Sequence, residues 1–215
     1  NINEFIKYNN IIIKDIKEII KDFNINNKFK NLMNIYENIN NNNYIIAEIE
    51  IKKNDIDTDI RIINSYEQYK SENKYDNEIE DKYRNESEIM ESCKIKINNE
   101  QIPFSYFHTF KKEGKYQIKY SFTKNISKTV FLFLGCTSLT NINLSGFNTQ
   151  NTTNMNAMFY KCSSLKDFNL SNLNTQNLKD MGCMFFGCSS LTNIGLSSFK
   201  TKNVTSMNSM FRECK

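Results

Sequence analysis

Four cysteines, Cys136, Cys162, Cys188 and Cys214, stand 26 residues apart with no insertion or deletion between them. That period constrains the fold more than any other feature of the chain. The same pattern recurs between the cysteines: Leu139, Ile142, Leu144, Phe147; then Leu165, Phe168, Leu170, Leu173; then Leu191, Ile194, Leu196, Phe199. Each unit closes on a Met-x-x-Met-Phe run, at Met155–Phe159, Met181–Phe185 and Met207–Phe211. A period of this length marks stacked units, each burying its apolar face against its neighbours. Chains built this way bind other molecules more often than they transform them.

Within a unit the two halves differ. Leu139-x-x-Ile142-x-Leu144 has the spacing of a strand that turns alternate side chains inward. Met155, Met158 and Phe159 sit at i, i+3 and i+4, which predicts a short helix. Asn151, Asn177 and Asn203, four residues ahead of each first Met, are placed as its N-caps. Residues 123–135 read as a degenerate first unit, because Leu132-Phe133-Leu134-Gly135-Cys136 parallels Met184-Phe185-Phe186-Gly187-Cys188.

The strings CSSLKDFNLSNLNTQNLKDMGCMFFGC and CSSLTNIGLSSFKTKNVTSMNSMFREC resemble the units of BspA-like leucine-rich-repeat surface proteins, and the resemblance covers residues 130–215. It implies an α+β leucine-rich-repeat solenoid with a strand and a short helix per 26-residue unit. It also implies display at a cell surface, adhesion or host contact, and no catalytic activity. The repeats at 136–215 break off where a further Ser-Leu unit is due, so the sequence reads as part of a longer chain.

Upstream, 1–43 is an amphipathic helical segment: Ile12, Ile16, Ile19 and Phe23 share one face, as do Phe29, Leu32, Met33 and Tyr36. From Tyr44 the period changes to two. Ile45, Ala47, Ile49 and Ile51 alternate with polar or exposed positions, as do Tyr116, Ile118, Tyr120 and Phe122. Lys94–Ile97, Asn98-Asn99 and Glu100–Phe104 predict a hairpin whose second strand Pro103 confines to an edge. Residues 44–122 thus form a small antiparallel, sandwich-like β domain carrying a charged insertion at 71–92.

Charge and motifs narrow the function. The net charge is +4, and residues 136–215 carry 7 basic and 3 acidic side chains, too sparse for a nucleic-acid footprint. The longest apolar run, Val130–Leu134, is far short of the ~20 residues that span a bilayer. A linear ladder of cysteines does not wrap a tetrahedral zinc, so the thiols read as packed hydrophobes. Asp55, Asp57 and Asp59 begin like a calcium loop, but Ile60 and Tyr66 replace its glycine and glutamate. No nucleophile is tied to His108, the single histidine, and no cofactor-binding motif appears. The acidic cluster Glu78, Glu80, Asp81, Glu86, Glu88 and Glu91 reads as a solvated face. Sequons at Asn85, Asn125, Asn143, Asn151, Asn169 and Asn203 permit glycosylation without arguing for it.

The sequence therefore points to a non-enzymatic binding module for a protein or glycan, without cofactor or metal. The candidate contact surface is the outward face of the repeat strands: Thr140, Asn141, Asn143, Lys166, Asp167, Asn169, Thr192 and Asn193. Two alternatives stand beside it. One is an intracellular scaffold for protein–protein interaction; the other is the recognition arm of an enzyme whose catalytic domain lies in further sequence.

Overall fold

The structure, a computed structural model, describes residues 43–74, 80–166, 168–170, 173–197 and 199–215. The helical segment expected at 1–43 lies, apart from Asn43, outside the described residues. Residues 42–215 belong to one compact unit.

Its centre is a five-stranded antiparallel sheet. Strand β1 (Tyr44–Ile51) and strand β6 (Gly114–Phe122) form the middle pair, with Tyr44 opposite Ser121 and Glu50 opposite Lys115. Strands β3 (Cys93–Ile97) and β4 (Glu100–Ile102) form the predicted hairpin and extend the sheet beyond β6. The turn closes because Asn98 and Asn99 both take positive φ, 46° and 71°, as a two-residue turn matched to strand twist requires. Pro103 directly follows β4, which is an edge strand. Two short strands, β2 (Asp59–Arg61) and β5 (Phe107–Thr109), pair separately. Alternation delivers the core: Ile45, Ala47, Ile49, Ile51, Ile95, Ile118, Tyr120 and Phe122 all point inward and are buried.

The other edge of the sheet is filled from the repeat region. Strand β7 (Leu139–Asn143) runs antiparallel to β1, with Ile46 opposite Asn143 and Glu48 opposite Asn141. The strands of the next two units, β8 (Phe168–Asn169) and β9 (Ile194–Gly195), pair with each other in parallel.

The leucine-rich solenoid expected from sequence is not what forms. Among the described residues the two α-helices are α1 (Tyr66–Asn73) and α2 (Glu86–Ser92), both ahead of the repeats. The fold is a mixed α+β arrangement dominated by small, mainly antiparallel sheets. The Met-x-x-Met-Phe runs are chains of tight turns. Ala157, Cys183 and Ser209, each between the two Met residues of its run, have φ of 53–55°, and a left-handed residue there breaks an α-helix. Even-numbered amides close four-residue turns, as from Met158 to the Met155 carbonyl and Tyr160 to Ala157. Odd-numbered amides reach the next unit: Met155, Ala157, Phe159 and Lys161 donate to the carbonyls of Asp180, Gly182, Met184 and Phe186. Hydrogen bonds between units thus replace those a helix would make within itself. Asn177 and Asn203, expected as N-caps, instead donate their side-chain amides at 2.8 Å to the Gln150 and Gln176 carbonyls of the preceding unit.

Inside this turn ladder, Phe133, Phe159, Phe185 and Phe211 stack with centroids 5.4–5.7 Å apart and planes within 7°. The Cys162, Cys188 and Cys214 thiols each donate to a carbonyl one unit back, those of Phe133, Phe159 and Phe185, at 3.0–3.2 Å. All six cysteines are free. Burial pushes the Cys136 and Cys188 thiols up to about 12, and Cys162 well above the usual range.

The first rung's carbonyls have no earlier unit to satisfy them, and two buried asparagines take that role. Asn64 donates its backbone N–H to Leu132 at 2.7 Å and its side-chain amide to Leu134 at 3.2 Å. Asn85 donates its amide to Val130 at 2.6 Å and to Lys128 at 3.3 Å, while its oxygen accepts from the Tyr66 N–H. The sequon at Asn85 is therefore closed in this fold, since its amide is 1% exposed and fully engaged. The charged insertion is also structured: Glu88 accepts from the Ser127 backbone and hydroxyl, and Glu86 from Tyr106 Oη. These two carboxylates of the acidic cluster are packing groups, not a solvated face. Desolvation, followed by the Glu86 hydrogen bond, raises the Tyr106 pKa.

Candidate functional site

The outward face of the central sheet follows from the strand period. In β1, Tyr44, Ile46, Glu48 and Glu50 face away from the core; in β6, Lys115, Gln117 and Lys119 do so; in β7, Thr140 and Asn141. Where β1, β6 and β7 meet the second repeat, the surface folds into an open cleft of about 330 Å³ lined by Glu48, Glu50, Lys115, Thr140, Asn141 and Lys166. Two carboxylates, two ammonium groups, an amide and a hydroxyl share this space.

Register explains the assembly. Glu48 lies between Gln117 on β6 and Asn141 on β7. Lys115 Nζ is 3.6 Å from Glu48 Oε1, and both side chains are well exposed, so the pair contributes at most about 1 kcal/mol. The Thr140 hydroxyl donates to the Glu48 carbonyl at 3.0 Å, and the Lys166 N–H donates to the Thr140 carbonyl at 3.3 Å. The cleft is thus tied to the sheet through backbone while its charged ends stay in water. Its volume lies at the small end of ligand clefts, which run from about 300 to 1,000 Å³.

Of the contact residues expected from sequence, the structure gathers Thr140, Asn141 and Lys166 into this cleft. Asn143, at the far end of β7, turns its side-chain oxygen to the Ser145 N–H at 2.9 Å. Thr192 and Asn193 are exposed but outside the cleft lining. Asn169 contributes backbone to β8, and Asp167 lies outside the described residues. Glu48, Glu50 and Lys115 were missed as site residues. The two-residue period marks them as outward-facing, but pairing of β1 with a repeat strand left no trace in sequence.

His108 on β5 is half-buried edge-on to Phe110, with centroids 4.6 Å apart, and burial lowers its pKa. Among the described residues no three His, Cys, Asp or Glu side chains gather to hold a metal ion, and no helix is long and apolar enough to cross a membrane.

A family model described as Mycoplasma protein of unknown function, DUF285, matches residues 104–215. That match corrects the resemblance to BspA-like leucine-rich-repeat proteins, for which no family model matches. No curated protein and no solved structure matches the chain. The matched segment starts within the β domain, just ahead of β5, and takes in β6, β7 and the whole turn ladder.

Proposed function

The chain belongs to the DUF285 family, and we propose from its own geometry that it is a non-enzymatic recognition module. Its ligand is a polar protein or glycan held on the outward face of the central sheet. The observation that carries this proposal is the cleft itself: three residues selected from sequence converge there with three more from β1 and β6. Its lining of opposite charges, amide and hydroxyl offers donors and acceptors in all directions, which suits a hydroxylated or zwitterionic ligand.

Size bounds the affinity. A standard protein interface takes about 20–30 residues a side, so the cleft serves as the centre of a larger contact on the sheet face. The test is binding of the purified chain to an array of immobilised glycans and extracellular-matrix proteins. Asn141→Ala with Lys166→Glu is expected to weaken the array signal at least severalfold while leaving the melting temperature within about 2 °C. A blank array for the unmodified protein, or equal signals for the two, overturns the proposal.

A further inference from the structure

Beside the cleft, the same sheet face carries a second charged feature. Register sets Lys96 on β3 directly opposite Lys119 on β6, and Lys94 opposite Ser121, so three ammonium groups crowd one corner. Among the described residues none of the three forms an ion pair with a carboxylate; the pairs that form involve other lysines and arginines. Like charges directly opposite one another destabilise a sheet. Lys119 is held in place: its Nζ lies 4.5 Å over the Tyr44 ring. That ring in turn abuts Gly146, where an added Cβ would meet its Cζ at 2.4 Å. Gln101, opposite Lys96, adds an amide at the corner.

The corner stands a fixed distance from charges of the other sign. Lys119 to Gln117 is two residues, about 6.6 Å along the strand, and Glu48 is one strand further, about 4.8 Å across. Between backbone positions Lys119 is therefore about 8 Å from Glu48, while Lys96 and Lys94, a strand further off, are about 12 and 16 Å from it, and Glu50 lies beyond. A ligand with an anion at every step sets its next charge against those carboxylates. So does a flat anionic surface. A ligand that alternates an anionic with a neutral unit satisfies both.

Resting on the recognition role proposed above, we infer that the sheet face binds an acidic glycan with one carboxylate or sulfate on every second sugar. The anion sits on Lys94, Lys96 and Lys119, and the neutral sugar lies over the cleft at Glu48, Asn141 and Lys166. Nucleic acid, polyphosphate and anionic membrane, with their denser charge, fit less well.

The experiment titrates the 215-residue chain at 50 mM and 150 mM salt with three probes: a hyaluronan octasaccharide, a polyphosphate of similar length and a neutral dextran oligosaccharide. Hyaluronan is expected to bind tightest and to weaken with salt. Joint Lys94→Gln, Lys96→Gln and Lys119→Gln substitution is expected to weaken it roughly tenfold or more, with the melting temperature kept or raised. Lysine-to-arginine versions keep the binding. Asn141→Ala weakens hyaluronan and leaves the salt dependence unchanged. Equal binding by the unmodified and glutamine-substituted proteins overturns the inference, as does tighter binding of polyphosphate. If no hyaluronan binds while the array signal at the cleft persists, the acidic-glycan inference falls and the recognition role stands; a blank array removes both.

Discussion

Asn85 offers the sharpest test of how the turn ladder is closed. It is 1% exposed, its amide nitrogen donates to Val130 and Lys128, and its oxygen accepts from Tyr66 at the start of α1. Asn85→Ala removes all three bonds and leaves the buried Val130 carbonyl and Tyr66 amide without a partner. At about 1–3 kcal/mol for each orphaned buried group, with the weak Lys128 contact ignored, the loss is about 3 kcal/mol. That is a large share of the ~5–15 kcal/mol that holds a domain together. Asn85→Asp is nearly isosteric and keeps the Tyr66 bond, yet it turns an acceptor toward two carbonyls and buries a charge. At pH 7.5 it is expected to cost about 2 kcal/mol more than the alanine variant. The fold raises the pKa of the new carboxyl above its ordinary ~3.9. Its stabilising protonated form is then present below that value and lost as pH rises through the raised one. Stability relative to the parent should recover toward pH 4, where the protonated carboxyl donates to Val130. Urea unfolding at constant m-value measures each difference. An aspartate variant no less stable than the alanine variant at pH 7.5, with no recovery in acid, refutes the capping role.

Two further outcomes follow from the ladder. Phe159 stacks on both Phe133 and Phe185 and is fully buried, whereas Phe211 stacks on Phe185 and is 40% exposed. Phe159→Ala should cost about 3–5 kcal/mol and Phe211→Ala less than half of that by urea unfolding; equal losses would contradict the stacking order. The buried thiols give a pH dependence: burial lifts Cys93, Cys136 and Cys188 to about 12, against about 9 in the unfolded chain. Their contribution is fully present below pH ~9 and is lost as pH rises toward 12. The urea midpoint should fall over that window, and by less in Cys136→Ala. With a thiol reagent at pH 8, the half-buried Cys183 and Cys214 should label before the other four.

The sequence by itself determined which side chains turn inward. The two-residue period placed Ile45 to Ile51 and Ile118 to Phe122 in the core, and Asn98-Asn99 set the hairpin register. The 26-residue period put phenylalanines on phenylalanines and set the thiols in register as a packed ladder. Periodicity records the direction of a side chain but is silent on where the backbone hydrogen bonds go, and the corrections to the repeat units arose there. Met155, Met158 and Phe159 face inward as a helix would place them, but left-handed Ala157 sends alternate amides to the next unit. The strand at Leu139–Asn143 has the repeat's side-chain pattern, yet its partner is β1, some ninety residues earlier. That pairing builds the cleft, and two asparagines buried in otherwise unremarkable polar stretches close the first rung. Only the tertiary structure decided those partners, because a donor row accepts any acceptor row that packing brings within about 3 Å.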